Sequence, residues 1–154
     1  MHFLDVTPTD LELIEHARDL IRRLYIPDRH HVASAVRCGN GKIYAGVHLD
    51  AAVGQANVCA EAVAVGMALS AGETELHTIV AVRHPRPHEA DPSIRVVSPC
   101  GNCRELISDF GPHCHLILPD GKGGIQKLAV DDLLPFKFKR RPPINVAQMR
   151  MKQV

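Results

Sequence analysis

Two short runs carry the residue types able to do chemistry: Cys59-Ala60-Glu61, and Pro99-Cys100-Gly101-Asn102-Cys103. Two cysteines separated by two residues bring both sulfurs to one ion, and Zn²⁺ takes four ligands at tetrahedral corners. A third thiolate from Cys59 then leaves one corner for water, which is the arrangement of a catalytic zinc site. A structural site closes that corner with protein, often from a second Cys or His pair, and no second Cys-x-x-Cys is present. Cys38 and Cys114 stand alone. Glu61 is a carboxylate within reach of such a centre and could move protons there. Three blander readings use the same residues: cysteines packed as small apolar side chains, a purely structural zinc, and a glutamate that merely caps a helix.

Both runs fall where helices should begin. Small and apolar residues are nearly continuous from about Val58 to Ser70, with Gly72 as a stop, and a second helix is expected over Gly101 to Phe110 before Gly111-Pro112. Free N–H groups and the macrodipole at a helix start favour a thiolate. Residues two apart on a helix diverge, so Glu61 would have to reach round the first turn to meet a metal held by Cys59. Upstream, Thr9 or Asp10 can cap an amphipathic helix running to about Arg23. Val32 to Val36 and Ile43 to Leu49 flank Cys38-Gly39-Asn40-Gly41, a strong hairpin signal. Ile79 to Val82 reads as a strand, Arg83 to Ser93 as a proline-rich loop, and His115 to Leu118 with Ile125 to Val130 as strands around Asp120-Gly121. Asp131 to Leu134 reads as a helical turn. Strands interleaved with helices predict an α/β domain with helices on both sheet faces and a site beyond the strand ends.

The 154 residues suit one domain, expected over 1–138, followed by a basic tail over 139–154. Hydrophobic residues at 45% and charged residues at 23% match an ordinary globular core. Eighteen basic against seventeen acidic side chains leave a formal charge of +1, so no global field draws the chain to nucleic acid or an anionic membrane. A small-molecule partner fits better. No apolar run is long enough to span a bilayer, and Asp5 and Pro8 interrupt what a signal peptide would need, so a cytoplasmic location is expected.

Cys-Ala-Glu followed about forty residues later by Pro-Cys-x-x-Cys resembles the signature of the zinc nucleoside deaminases. The similarity runs from about Val32 through Phe138 and includes Gly41-Lys42-Ile43-Tyr44-Ala45-Gly46-Val47 and Leu133-Leu134-Pro135. The Cys-first form is similar to the small homotetrameric cytidine deaminases and to blasticidin S deaminase. That resemblance implies a three-layer α/β/α sandwich with a mixed sheet of about five strands. It also implies a Zn²⁺ cofactor on Cys59, Cys100 and Cys103, and Glu61 as the proton carrier in hydrolysis of a cytosine-type amine to a uridine-type product and ammonia. The Ala60 N–H and Ser98 carbonyl would hold the base, Phe138 would send a ring toward the substrate with Phe136 as its competitor, and the chain would assemble as a tetramer. Three thiolates on Zn²⁺ sum to −1, and with Ala62 at the place of the family's arginine, Arg104 is expected to correct this by hydrogen-bonding a ligand sulfur. The family's sugar-binding Asn-x-Glu falls on His48-Leu49-Asp50, and His30 stands where relatives place a phenylalanine. With the long Arg83 to Ser93 loop, these departures point to an altered or larger substrate. A nucleic-acid deaminase using the tail and a non-catalytic zinc scaffold are the competing classes.

Overall fold

The computed structural model describes residues 1–139; the basic tail beyond it lies outside the described residues. The first helix, α1 (Pro8–Leu24), starts earlier than its apolar periodicity suggests. Thr7 is the N-cap, Pro8 follows as the first helical residue, and Thr7 and Asp10 form a reciprocal capping box. The expected caps Thr9 and Asp10 are thus inside the helix. Leu13, Ile14, Ala17 and Ile21 form its buried stripe.

Six strands make one mixed sheet: β1 (Val32–Cys38), β2 (Ile43–Val47), β3 (Leu76–Arg83), β4 (Arg95–Val97), β5 (His115–Pro119) and β6 (Ile125–Ala129). Their order is β2-β1-β3-β5-β6, with β4 also on β3. Only β3 and β5 run parallel. The predicted hairpin forms, with Gly41 at φ 84° in the left-handed region that glycine supplies freely. The fourth strand is the element missing from the expectation of five. Its reason is tertiary: β5 covers β3 only over Thr78 to Val80, and β4 pairs the remaining Ala81 to Arg83. Three residues are too short a run to announce a strand.

Side-chain alternation along the strands sends two cores to opposite faces. On one, α1 packs over Ala33, Ala35, Val80, Val82 and Ile117. On the other, α2 (Ala60–Ser70) and α3 (Gly101–Phe110) cover Val36, Ile79, Leu116 and Leu128. The expected α/β/α sandwich is therefore present, and it is the fold that the site uses. Gly46 matters here: a Cβ on it would lie 2.5 Å from the Val63 side chain and 3.1 Å from the Ala64 nitrogen, so glycine lets α2 lie directly against β2. Cys38 and Cys114 are core residues, and burial pushes their thiols up to about 11 and about 12, which makes them inert.

Candidate active site

Cys59 and Cys100 are the N-caps of α2 and α3, both with extended backbone, and Cys103 lies in the first turn of α3. Cys59 is outside the helix, so helical spacing does not constrain it, and Glu61 lines the same cleft with no need to reach round the turn. The three sulfurs lie within 4.8 Å of one another, with Cys59 Sγ and Cys100 Sγ 3.7 Å apart. Four ligands at zinc–sulfur bonds of about 2.3 Å require tetrahedral edges of about 3.8 Å, so the donor set fits Zn²⁺ in both softness and spacing.

Electrostatics around the sulfurs are uneven. Burial raises the Cys100 thiol, but the backbone N–H groups of Cys103 and Asn102 and the neighbouring thiols outweigh it and hold the group below its ordinary value. Burial pushes Cys59 up, and pushes Cys103 up further, with the Glu61 carboxylate adding to the latter. A cation is what reconciles three such groups at one point. Glu61 is 6% exposed. Burial raises its carboxyl above the usual range, partly offset by its own backbone N–H and by the Cys103 thiol.

The cleft above the sulfurs has a volume of about 330 Å³. It lies where β2 and β4 end and β1 begins. Mutual hydrogen bonds between Leu49 and Val58, 2.9 and 3.1 Å, fasten the end of the β2 segment to the chain entering α2. That bridge brings His48 and Asp50 to the same walls as Ala60, Ser98, Cys59 and Cys100. His48 Nδ1 accepts from the backbone N–H of His31 at 3.1 Å and of Val32 at 3.3 Å, which leaves the ring proton on Nε2. Burial, then the neighbouring His31, lowers the pKa of this ring, so it is neutral at pH 7. Its Nε2 is buried, 3.9 Å from Asp50 Oδ2, and has no hydrogen-bond partner among the described residues.

Three expectations change. His30 does not line the cleft; its Nδ1 pairs with the His48 carbonyl at 2.8 Å, and His31 faces the cleft instead. Sequence reasoning missed His31 and Asn57, because nothing in two adjacent histidines says which one a strand entry turns inward. Phe138 is 82% exposed and Phe136 fully exposed, and neither ring lines the cleft of its own chain. Arg104 donates to the Pro99 carbonyl at 3.1 Å and to the Leu133 carbonyl at 3.4 Å, and these are its described bonds in place of one to a ligand sulfur. Its guanidinium thus braces the loop that delivers Cys100. Arg104→Ala is expected to weaken zinc binding about 10- to 100-fold, as loss of an outer support does; competition with a chromophoric chelator reads this, and unchanged affinity removes the role.

Residues 7–117 match the family model for the cytidine and deoxycytidylate deaminase zinc-binding region. The chain belongs to this family. It is 46% identical over 140 residues to a blasticidin-S deaminase of Bacillus cereus, covering 91% of this chain and 99% of that one. A cytidine deaminase of Halalkalibacterium halodurans is 29% identical, over 82% of this chain and 91% of that one. Among solved structures, the cytidine deaminase of Burkholderia pseudomallei superposes with a TM-score of 0.68 at 28% identity, over 86% of this chain and all of that one. The chain is accordingly a zinc-binding hydrolytic deaminase acting on a C–N bond, with Cys59, Cys100 and Cys103 as the cluster able to hold the metal.

Proposed function

We propose that the chain hydrolyses the exocyclic amine of a cytosine-type nucleoside, consuming water and releasing ammonia and the uridine-type product. The observation that carries this reading is the three-sulfur cluster of Cys59, Cys100 and Cys103 beside the buried Glu61 carboxylate, with Cys59, Cys100 and Glu61 lining a nucleoside-sized cleft. Cys59, Cys100 and Cys103 would hold zinc, which would supply the Lewis acidity that brings ionisation of water near neutral pH. Glu61 would take one proton from the attacking water and deliver it to the ring nitrogen, then take the second from the hydroxyl added to the ring carbon and give it to the departing amine. Ala60 and Ser98 both line the cleft, and the Ala60 N–H and Ser98 carbonyl would orient the base. The Asp50 carboxylate accepts from a sugar hydroxyl, with the His48 ring packed behind it and Nε2 3.9 Å from Asp50 Oδ2.

A narrower reading prefers blasticidin S to cytidine. It is supported by the 46% identity to a protein of that name and by His48 and Asp50 standing where the family's amide and glutamate are expected. We further read residues 1–138 as one catalytic domain, cytoplasmic in location, that assembles with copies of itself. No described helix is long and apolar enough to cross a membrane. Self-association is supported by α2, which carries no charge besides Glu61 and leaves Met67 49% exposed, and by Val53 and Val58 exposed on the chain entering it. Phe138 could then serve a neighbouring copy's cleft. The nucleic-acid reading has less support, because Lys137 of the basic run is occupied by Glu105, Ser108 and Asp109 on α3.

One experiment tests these points together. Zinc-loaded protein, its mass read by light scattering, is offered cytidine, deoxycytidine and blasticidin S while ultraviolet absorbance and ammonia are followed. Turnover with zinc dependence is expected, at a mass several times the 16.9 kDa chain. Inertness toward all three nucleosides sinks the substrate class, and a monomer sinks the assembly.

A further inference from the structure

A second cleft, of about 350 Å³, opens on the far side of His31. Tyr25, Pro27, Asp28, Arg86, Pro87 and His88 complete its walls, and His31 is the one residue it shares with the cleft above the sulfurs. The shared ring is firmly set. It packs edge-on against His48 with centroids 4.2 Å apart, and its backbone carbonyl accepts from the His84 N–H at 2.8 Å.

Two charged side chains, Arg86 and Asp28, line the walls of this second cleft. Behind them the Tyr25 ring stacks on His84 with centroids 3.8 Å apart, its hydroxyl buried and without a hydrogen-bond partner among the described residues. Among the described residues the Arg86 guanidinium and the Asp28 carboxylate make no ion pair, yet both are close enough to act on the His31 ring. Their neighbours are paired: Arg83 holds Glu89 through two 2.7 Å bonds, and Arg95 reaches Glu89 at 3.6 Å and Asp91 at 3.9 Å. That network pins the loop carrying Arg86 to β3 and β4, so the guanidinium is presented from an anchored segment. Asp28 stands opposite on a turn, with a left-handed φ of 56° that aspartate tolerates.

We propose that this cleft extends the substrate site past the sugar and binds a zwitterionic substituent on it, with an anionic group on Arg86 and a cationic nitrogen on Asp28. The extension rests on the nucleoside reading above, since it places the sugar at His48 and Asp50 beside His31. It also gives the long loop after β3 a purpose, because that loop supplies Arg86, Pro87 and His88.

The test compares cytidine with blasticidin S, whose sugar bears charged substituents that cytidine lacks, in the zinc-loaded wild type and in Arg86→Ala and Asp28→Asn. Both positions are exposed, and asparagine accepts the backbone of residue 28. Each variant is expected to lower the ratio of kcat/KM for blasticidin S to that for cytidine about tenfold, the loss of one charge-assisted hydrogen bond, chiefly through KM. A ratio unchanged in both variants overturns the extension, as does turnover of cytidine with neither turnover of nor inhibition by blasticidin S; either leaves the nucleoside reading standing. Failure of both substrates in the wild type removes that reading and the extension with it.

Discussion

Glu61→Gln is expected to lower kcat by about 10²- to 10⁴-fold, the contribution of a positioned general acid and base, while zinc content stays at the wild-type level. Glutamine keeps the shape of the side chain and loses only its capacity to take and return a proton. The site makes this a sharp experiment, because Glu61 is 6% exposed and lines the cleft without belonging to the three-sulfur cluster. Metal analysis beside single-turnover kinetics separates the two functions. A variant that retains both zinc and rate would show that the proton travels by another group. A variant that loses zinc would show that the carboxylate supports the metal rather than the proton.

The second large effect concerns stability. Lys127→Met is expected to destabilise the zinc-loaded fold by about 3 kcal/mol, at the low end of the cost of leaving one member of a buried ion pair alone. Lys127 Nζ donates to both carboxylate oxygens of Asp10 at 3.0 Å, joining β6 to the start of α1, and the two side chains are 9% and 4% exposed. Thr7 holds one of those oxygens through its backbone N–H and its hydroxyl, which is why the low end is expected. Urea denaturation at fixed protein concentration measures the loss. The double variant Asp10→Asn/Lys127→Met should recover part of it, because it removes the stranded charge. A single variant as stable as wild type would mean that Thr7 alone satisfies Asp10.

The same pair sets a pH dependence. Burial raises the Asp10 carboxyl, but the Thr7 N–H, Lys127 and the Thr7 hydroxyl outweigh it, and the folded pKa lies below the ordinary carboxylate value. The unfolded state therefore binds this proton more readily. The pair's contribution is fully present above the unfolded pKa of about 4 and is lost as pH falls through the lower folded value.

Much of this molecule could be read along the chain because the signals are local. Cys59-Ala60-Glu61 and Pro99-Cys100-Gly101-Asn102-Cys103 announce a metal site since the spacing of cysteines and the starts of helices are decided within a few residues. The helix over Gly101–Phe110 and the hairpin at Asn40-Gly41 follow from caps and turns of the same reach. The three-layer architecture follows from the alternation of strand and helix patterns.

What the folded chain alone decided depends on contacts between distant segments. β4 exists because β5 stops halfway along β3, and no run of three residues can signal a vacancy on another strand. Arg104 could be placed near the cysteines from its position, but its choice of the Pro99 and Leu133 carbonyls is set by where residue 133 returns. Phe138 looked like a substrate contact but is exposed and does not line its own cleft, since nothing local directs a ring after the last strand. His31 and Arg86 come from segments more than fifty residues apart, and the cleft between them arises only when β1 and β3 pair antiparallel and bring both to one end of the sheet. Short-range stereochemistry names the atoms that can hold a metal and move a proton; the shape of the space around them is a property of long-range packing, which no local pattern encodes.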